Sequence, residues 1–332
     1  MAAPAGLKSR ATDINLVVLQ FALTLEHLEN VFYKDALKNF TVSDFEAAGY
    51  SADYYNNIMY IAFDEQTHVE ALSAAITGLG ATPVAAGTYA FPVTDVPTFV
   101  YVSQILENVG VSAYTGAATL ITDPYYLTVA ATILDIEAIH TSYQRASEGL
   151  IPMANPFETP LDPTSVFTLA SQFITSLPAS NYQLPFTAFP YLTADGAPAT
   201  CEEPDCSAPS VYIRGQPTSY KKKKTGPHHY GSSAPAPPAA GATVSFTAVS
   251  AIPSGSYLAF VNGLAIISVS ADIQGTGISG AVPAGLGGQT YVYVLSSNIT
   301  GNFSAFDDSA VLFGPAAIEV MPAAPTIDYS VL

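Results

Sequence analysis

Two short segments constrain this chain more than any other part of it. "DEQTH" places Glu65 three residues before His68, and "DIEAIH" places Glu137 three residues before His140. Both lie in stretches dominated by Ala, Ile, Leu and Val. Residues three apart share one face of a helix, so each segment presents a carboxylate and an imidazole side by side. Burying them is costly unless they are paired or bind a metal. A fold that packs these segments inside must therefore bring counter-charge to them.

The flanking sequence reads as helix from residue 13 to about 178. Ile14, Val18, Phe21, Leu25, Leu28 and Phe32 recur at spacings of four and three, giving the first helix an apolar face from Asp13 to Asn39. A second helix runs from Ala52 to Thr77 and ends before Gly78 and Gly80. A third starts after Asp95, with Pro97 in its first turn, and runs to Ile121. A fourth takes Asp123 as its cap and Pro124 as its first residue, and ends near Gly149. A shorter helix follows from Asp162 and Pro163 to Ser176. Tight first and last connections with a longer middle one suggest a ferritin-like four-helix bundle, not a simple up-down-up-down arrangement.

The remaining acids complete a pattern. The third helix carries Glu107 in "QILENVG", and the first carries Glu26 and Glu29 in "TLEHLENVFY". Two helices then give one Glu each and two give Glu-x-x-His, the ligand pattern of carboxylate-bridged di-metal bundles. The halves repeat: Glu26 has Tyr33 seven residues on, and Glu107 has Tyr114 seven residues on. Glu26, Glu65, Glu107 and Glu137 all fall near mid-helix, so antiparallel packing brings them to one layer. Four carboxylates there repel strongly without cations. Two divalent ions, Fe or Mn, balance them, with one imidazole for each ion. Glu26 is favoured as the first-helix ligand through the shared Tyr spacing, with Glu29 as an additional ligand or a neighbour of the shell. His27 faces the polar side. Tyr33 and Tyr114 suit hydrogen bonds to the carboxylates or electron transfer, with a buried hydroxyl that finds a partner the commoner case; Tyr143 suits packing, and Asp64 and Asp135 suit either surface or supporting positions.

From about Asp195 the composition shifts. Residues 181–241 read as an extended linker rich in Pro, Gly, Ser and Ala. It carries Cys201 and Cys206, close enough for a disulfide loop, a Lys run at 221–224, and His228 and His229. Residues 242–332 read as strands: "VSFTA", "YLAFV", "LAIISVSADI" and "TYVYVLS" are β-branched and aromatic, and Asn262-Gly263 marks a hairpin. The expected class is α+β multidomain, with a helical bundle at 13–180 and a small β-sandwich-like domain at 242–332. The β part has no His or Cys and reads as a packing or binding module.

Composition excludes several functions. The net charge is −17, and half of the basic residues are Arg214 and Lys221 to Lys224, which argues against nucleic-acid phosphate as a partner. No apolar run reaches the roughly 18 residues that span a bilayer. The first residues, "MAAPAGLKSRATD", lack the features of an intact signal peptide and suggest a mature N-terminus. Asn39, Asn298 and Asn302 each open an Asn-x-Ser/Thr triplet that permits glycosylation. With the cysteine pair, they suggest a secreted, extracellular or cell-wall protein.

The segments "LQFALTLEHLENVFYKDAL", "AFDEQTHVEAL", "LENVGVSAYTGA" and "ILDIEAIHTSYQ" resemble the ferritin-like domain of fungal stress-response and desiccation-related proteins. The resemblance covers residues 13–180. It implies that Glu65 and Glu137 bridge two metals, that Glu26 and Glu107 are terminal ligands, and that His68 and His140 bind one metal each. Two functions follow as expectations. One is a redox protein that handles oxygen or peroxide, or oxidises iron, under stress. The other is a structural cell-wall, matrix or self-assembling protein in which the metal is structural or vestigial.

Overall fold

The computed structural model describes residues 13–195 and 236–327. Cys201, Cys206, the Lys run and His228–His229 lie outside the described residues. Four long helices form the bundle: α1 (Ile14–Asn39), α3 (Ala52–Gly78), α4 (Val96–Ala117) and α5 (Pro124–Ser147). Their starts follow local chemistry. The Asp13 carboxylate accepts from Asn15 N–H, the Ser51 hydroxyl from Tyr54 N–H, and the Asp123 carboxylate from Tyr125 N–H. Asp95 and Thr98 cap α4 reciprocally. Each satisfies backbone donors that a helix start leaves open.

Helix directions follow from two contacts. Gln20, near the start of α1, donates to Thr82 O at 2.8 Å and accepts from Val84 N–H at 2.9 Å, just past the end of α3. The Asn15 side chain binds Thr122 and Asp123 in the α4–α5 turn. The start of α1, the end of α3, the end of α4 and the start of α5 therefore share one end of the bundle. The crossover between α3 and α4 spans residues 79–95. It contributes β1 (Thr88–Tyr89), which pairs with β2 (Ile174–Ser176).

Three details of the helical part differ from the reading of the sequence. A short helix, α2 (Val42–Ala48), fills the α1–α3 connection and buries Phe45. Helix α4 stops at Ala117. Helix α6 (Pro163–Ser171) gives way to β2, where pairing with β1 outcompetes further helix.

Two sheets complete the chain. One has the order β10-β6-β5-β9-β11 and the other β3-β4-β8-β7. The strands are β3 (Leu192–Ala194), β4 (Thr243–Ala248), β5 (Tyr257–Asn262), β6 (Ala265–Ser270), β7 (Asp272–Gln274), β8 (Gly277–Ala281), β9 (Gly288–Leu295), β10 (Gly301–Asn302) and β11 (Val311–Val320). Within the stretch read as linker, Leu192–Ala194 is thus a paired strand, in register with Phe246–Ala248. The β5–β6 hairpin closes through Gly263 and Leu264, with Gly263 at φ +56°. A two-residue turn needs positive φ there, which glycine adopts without steric cost.

The five-stranded sheet is buried on both faces. Leu258, Phe260, Val292 and Val294 face the second sheet. Their alternates Ala259, Val261, Tyr291 and Tyr293 join the core of the helices. Side chains alternate across a strand, so continuous apolar runs such as "YLAFV" and "TYVYVL" need cover on both sides. Here the helices cover one side, so the two halves share a core across that sheet. Arg145 on α5 fixes the contact by a bidentate pair with Glu319 on β11, at 2.7 and 2.8 Å. No helix among the described residues is long and apolar enough to cross a membrane.

Candidate metal centre

Seven of the side chains singled out from sequence meet at mid-bundle. Helix α1 supplies Glu26 and Glu29, α3 supplies Glu65 and His68, α4 supplies Glu107, and α5 supplies Glu137 and His140. All are buried. The Glu-x-x-His spacing delivers what a helix face dictates: both residues of each pair point inward.

The imidazoles organise the site. His68 Nδ1 lies 3.2 Å from Glu26 Oε2, 3.5 Å from Glu65 Oε2 and 3.5 Å from Glu137 Oε1. His140 Nδ1 lies 3.1 Å from Glu107 Oε2 and 3.2 Å from Glu65 Oε1. Glu65 therefore turns one oxygen toward each histidine. Among the described residues, Glu26, Glu65, His68 and Glu137 form one group of potential ligands, and Glu65, Glu107, Glu137 and His140 form another. Within each group the donor atoms lie within 4.8 Å of one another. Glu65 and Glu137 belong to both, the arrangement of two ion positions with shared carboxylates.

Supporting contacts hold these groups. Tyr114 donates to Glu26 Oε1 at 2.5 Å, and Tyr33 donates to Glu107 Oε1. Each tyrosine reaches the carboxylate of the other half of the bundle. Asp64 Oδ2 lies 3.2 Å from His140 Nε2. Accepting a hydrogen bond from Nε2–H leaves Nδ1 to face the carboxylates, the usual way an outer carboxylate sets a ligand's tautomer. Gln144, one turn after His140, accepts from Tyr54 and lies 3.5 Å from the Tyr33 hydroxyl. Of the residues weighed and set aside, His27 turns away to the Val84 carbonyl at 3.0 Å, and Tyr143 stacks on Tyr54 and accepts from Asn57 at 2.8 Å.

Glu29 is a fifth buried carboxylate, outside both ligand groups. Its position on α1 corresponds to Gly110 on α4, each three residues after a ligand-type Glu. A Cβ at Gly110 would lie 2.7 Å from Glu137 Oε2 and 3.3 Å from Glu29 Oε1. The glycine leaves the space that these two carboxylates occupy. The Gly110 position is the part of the site that a ligand-spacing argument passes over; Asp64, which the sequence left open between surface and support, takes the supporting position. The repeat Glu26-x-x-Glu29 against Glu107-x-x-Gly110 was the available signal for that glycine.

Electrostatics show how strained the set is without cations. Burial pushes Glu137 well above the usual carboxylate range, and Glu65 and Glu107 push it further. Burial and the neighbouring carboxylates raise Glu29 in the same way. Burial raises Glu26 to about 7 despite the hydrogen bond with His68. Burial also opposes ionisation of Glu65, yet the two histidines draw it down to about 2. Burial alone would lower His140, but Glu107 and Glu65 raise it to about 12. His68 is likewise raised, by Glu137, Glu26 and Glu65 against its own desolvation. Among the described residues, the positive charges that face these carboxylates are the imidazoliums of His68 and His140.

The residues fit a pair of cations. Both oxygens of Glu65 and both of Glu137 are buried without a hydrogen bond of good geometry. Such groups in a native core call for an explanation, and a bound ion is one. Four carboxylates and two imidazoles match the hard oxygen and nitrogen donors that Fe and Mn accept.

Comparison with known proteins places this geometry. Residues 14–149 match the model of the ferritin-like domain family, so the resemblance drawn from the four motifs holds over those residues. Protein rds1 of Schizosaccharomyces pombe is 27% identical over 186 residues, which is 54% of this chain and 44% of rds1. The match thus spans less than half of that relative. A crystal structure of a conserved hypothetical protein from Mycobacterium tuberculosis covers 43% of this chain and 96% of its own, with 14% identity and a TM-score of 0.35.

Proposed function

We propose that the ferritin-like domain of this chain holds two divalent ions, Fe or Mn, and uses them in redox chemistry with oxygen or peroxide. The observation that carries the reading is the set of four buried oxygens on Glu65 and Glu137, carboxylates that face the two imidazoles without a hydrogen bond of good geometry. When bound, such ions supply electrons to a small oxidant. Glu26, Glu65, His68, Glu107, Glu137 and His140 would hold them, with Glu65 and Glu137 shared. Asp64 keeps the proton of His140 on Nε2. Tyr33 and Tyr114 fix the orientation of Glu107 and Glu26 and close the layer to water. Glu29 lies beside Glu137, where burial and the neighbouring carboxylates raise it above the usual carboxylate range in the metal-free site.

The test is consumption of oxygen or peroxide by protein loaded with Fe or Mn. Turnover that disappears in Glu137→Ala supports the reading. Loaded protein without turnover favours the second one, a structural matrix or cell-wall component that self-associates. Met59, Tyr60 and Phe63 favour that alternative, since all three stand at least half exposed on α3, and exposed apolar groups mark contact surfaces. Light scattering would then show defined assemblies. The exposed triplet residues Asn39, Asn298 and Asn302 support an extracellular or cell-wall location. Mass spectrometry of native protein before and after glycan removal tests it.

A further inference from the structure

A second site lies at the end of the bundle where α1 and α5 begin. A cavity of about 140 Å³ opens there, between α1, α4, α5 and α6. Protein interiors are close-packed and rarely leave such space. The space exists because Ala22, Ala113, Ala117 and Ala130 face it from three helices. Larger side chains at those positions would fill it.

The cavity has a mouth and a floor. Exposed Ile14 and Pro185 line one end, and buried Leu25, Leu72 and Tyr114 line the other. The walls are otherwise Val, Leu, Ile and Phe, with Asn15 and Tyr126 as the further polar-bearing residues. The Asn15 amide is taken by Asp13 and Thr122. The Tyr114 hydroxyl is committed to Glu26. Among the described residues, the lining offers an occupant no charged group, and of its polar side chains only the Tyr126 hydroxyl is left to it.

We propose that this cavity binds a small, neutral, apolar molecule of about the size of a benzene ring. Engineered apolar cavities of roughly 150 Å³ stay dry and bind benzene. Tyr114 makes the site more than a packing defect. Its ring forms part of the floor while its hydroxyl holds a ligand-type carboxylate, so an occupant lies one aromatic ring away from the metal layer. The occupant's role as a substrate rests on the metal reading above. Its binding does not.

The experiment is a titration of the full, metal-free chain with benzene, followed by calorimetry and by thermal melting, with benzoate as the charged control. Saturable one-to-one benzene binding with a raised melting temperature, and no binding of benzoate, is expected. Ala130→Leu fills the cavity and should weaken benzene binding about tenfold or more without lowering the variant's own melting temperature. Ala113→Leu is a second filling variant from a different helix. Glu137→Ala, with its metal content measured alongside, should retain benzene binding, so the two readings fail separately. Absence of saturable benzene binding by the wild-type chain overturns the proposal. So does an unchanged affinity in both filled variants.

Discussion

Tyr114 donates its hydroxyl to the Glu26 carboxylate at 2.5 Å, although the two residues lie 88 positions apart. Tyr33 does the same for Glu107. Each half of the bundle thus holds a buried carboxylate of the other. Outer partners of this kind typically change metal affinity about 10- to 100-fold when removed. Tyr114→Phe and Tyr33→Phe are therefore each expected to weaken metal binding within that range and by similar amounts. Competition with a chelator of known affinity measures it. A loss confined to one variant would show that the halves are not equivalent.

Gly110 offers a steric test. Because its absent Cβ would lie 2.7 Å from Glu137 Oε2, Gly110→Ala should displace a shared carboxylate. We expect about a 10- to 100-fold loss of metal affinity, with helix content by circular dichroism unchanged. Glu29→Gln keeps the shape of a protonated Glu29 and should bind divalent ions within about threefold of wild type. Equal losses in both variants would instead make Glu29 a ligand.

The titrating groups give a signed pH dependence for the metal-free protein. Glu26 moves from 4.5 to about 7 on folding, so its contribution is full below pH 4.5 and is lost as pH rises to 7. His140 moves from 6.5 to about 12, so its contribution is full below pH 6.5 and declines above it. Glu65 moves the other way, from 4.5 to about 2, and its contribution is lost as pH falls through that window. Metal-free stability should then be greatest near pH 4.5 and decline toward pH 8, by on the order of 5 kcal/mol. Metal ligands must be deprotonated, so the stabilisation given by Mn²⁺ should grow over the same interval. Urea denaturation at several pH values, with and without Mn²⁺, measures both slopes.

Arg145 and Glu319 join the helices to the sheet through a buried bidentate pair. Arg145→Met leaves the Glu319 carboxylate alone and should cost about 3–5 kcal/mol. Arg145→Met combined with Glu319→Met should recover most of that loss. Equilibrium denaturation of the single and double variants checks it. A double variant as unstable as the single one would mean that packing, not charge, is what Arg145 provides.

Much of this architecture is legible in the sequence because helix physics is local. Apolar residues at three-four spacing, Asp13, Asp95 and Asp123 as caps, and two Glu-x-x-His pairs bring the ligand-type residues to one layer without tertiary information. The partner of each tyrosine is not local, and spacing alone left it open. The α2 helix and strand β3 are short, and their pairing with distant segments decides them. The contact between bundle and sheet was hidden for another reason: "YLAFV" and "TYVYVL" read equally well as the core of an independent sandwich. Their continuous hydrophobicity, in place of strict alternation, marks a sheet covered on both faces. The apolar cavity has no sequence signature, since its alanines are ordinary helix residues until the helices are packed.

The metal content of the purified chain tests the central claim most directly. Protein loaded anaerobically with Fe²⁺ or Mn²⁺ and desalted should retain two ions per chain by elemental analysis, and Glu65→Ala, which removes a carboxylate common to both groups, should retain fewer than one. Wild-type protein holding fewer than one ion per chain, or two ions held equally by Glu65→Ala, would contradict the account.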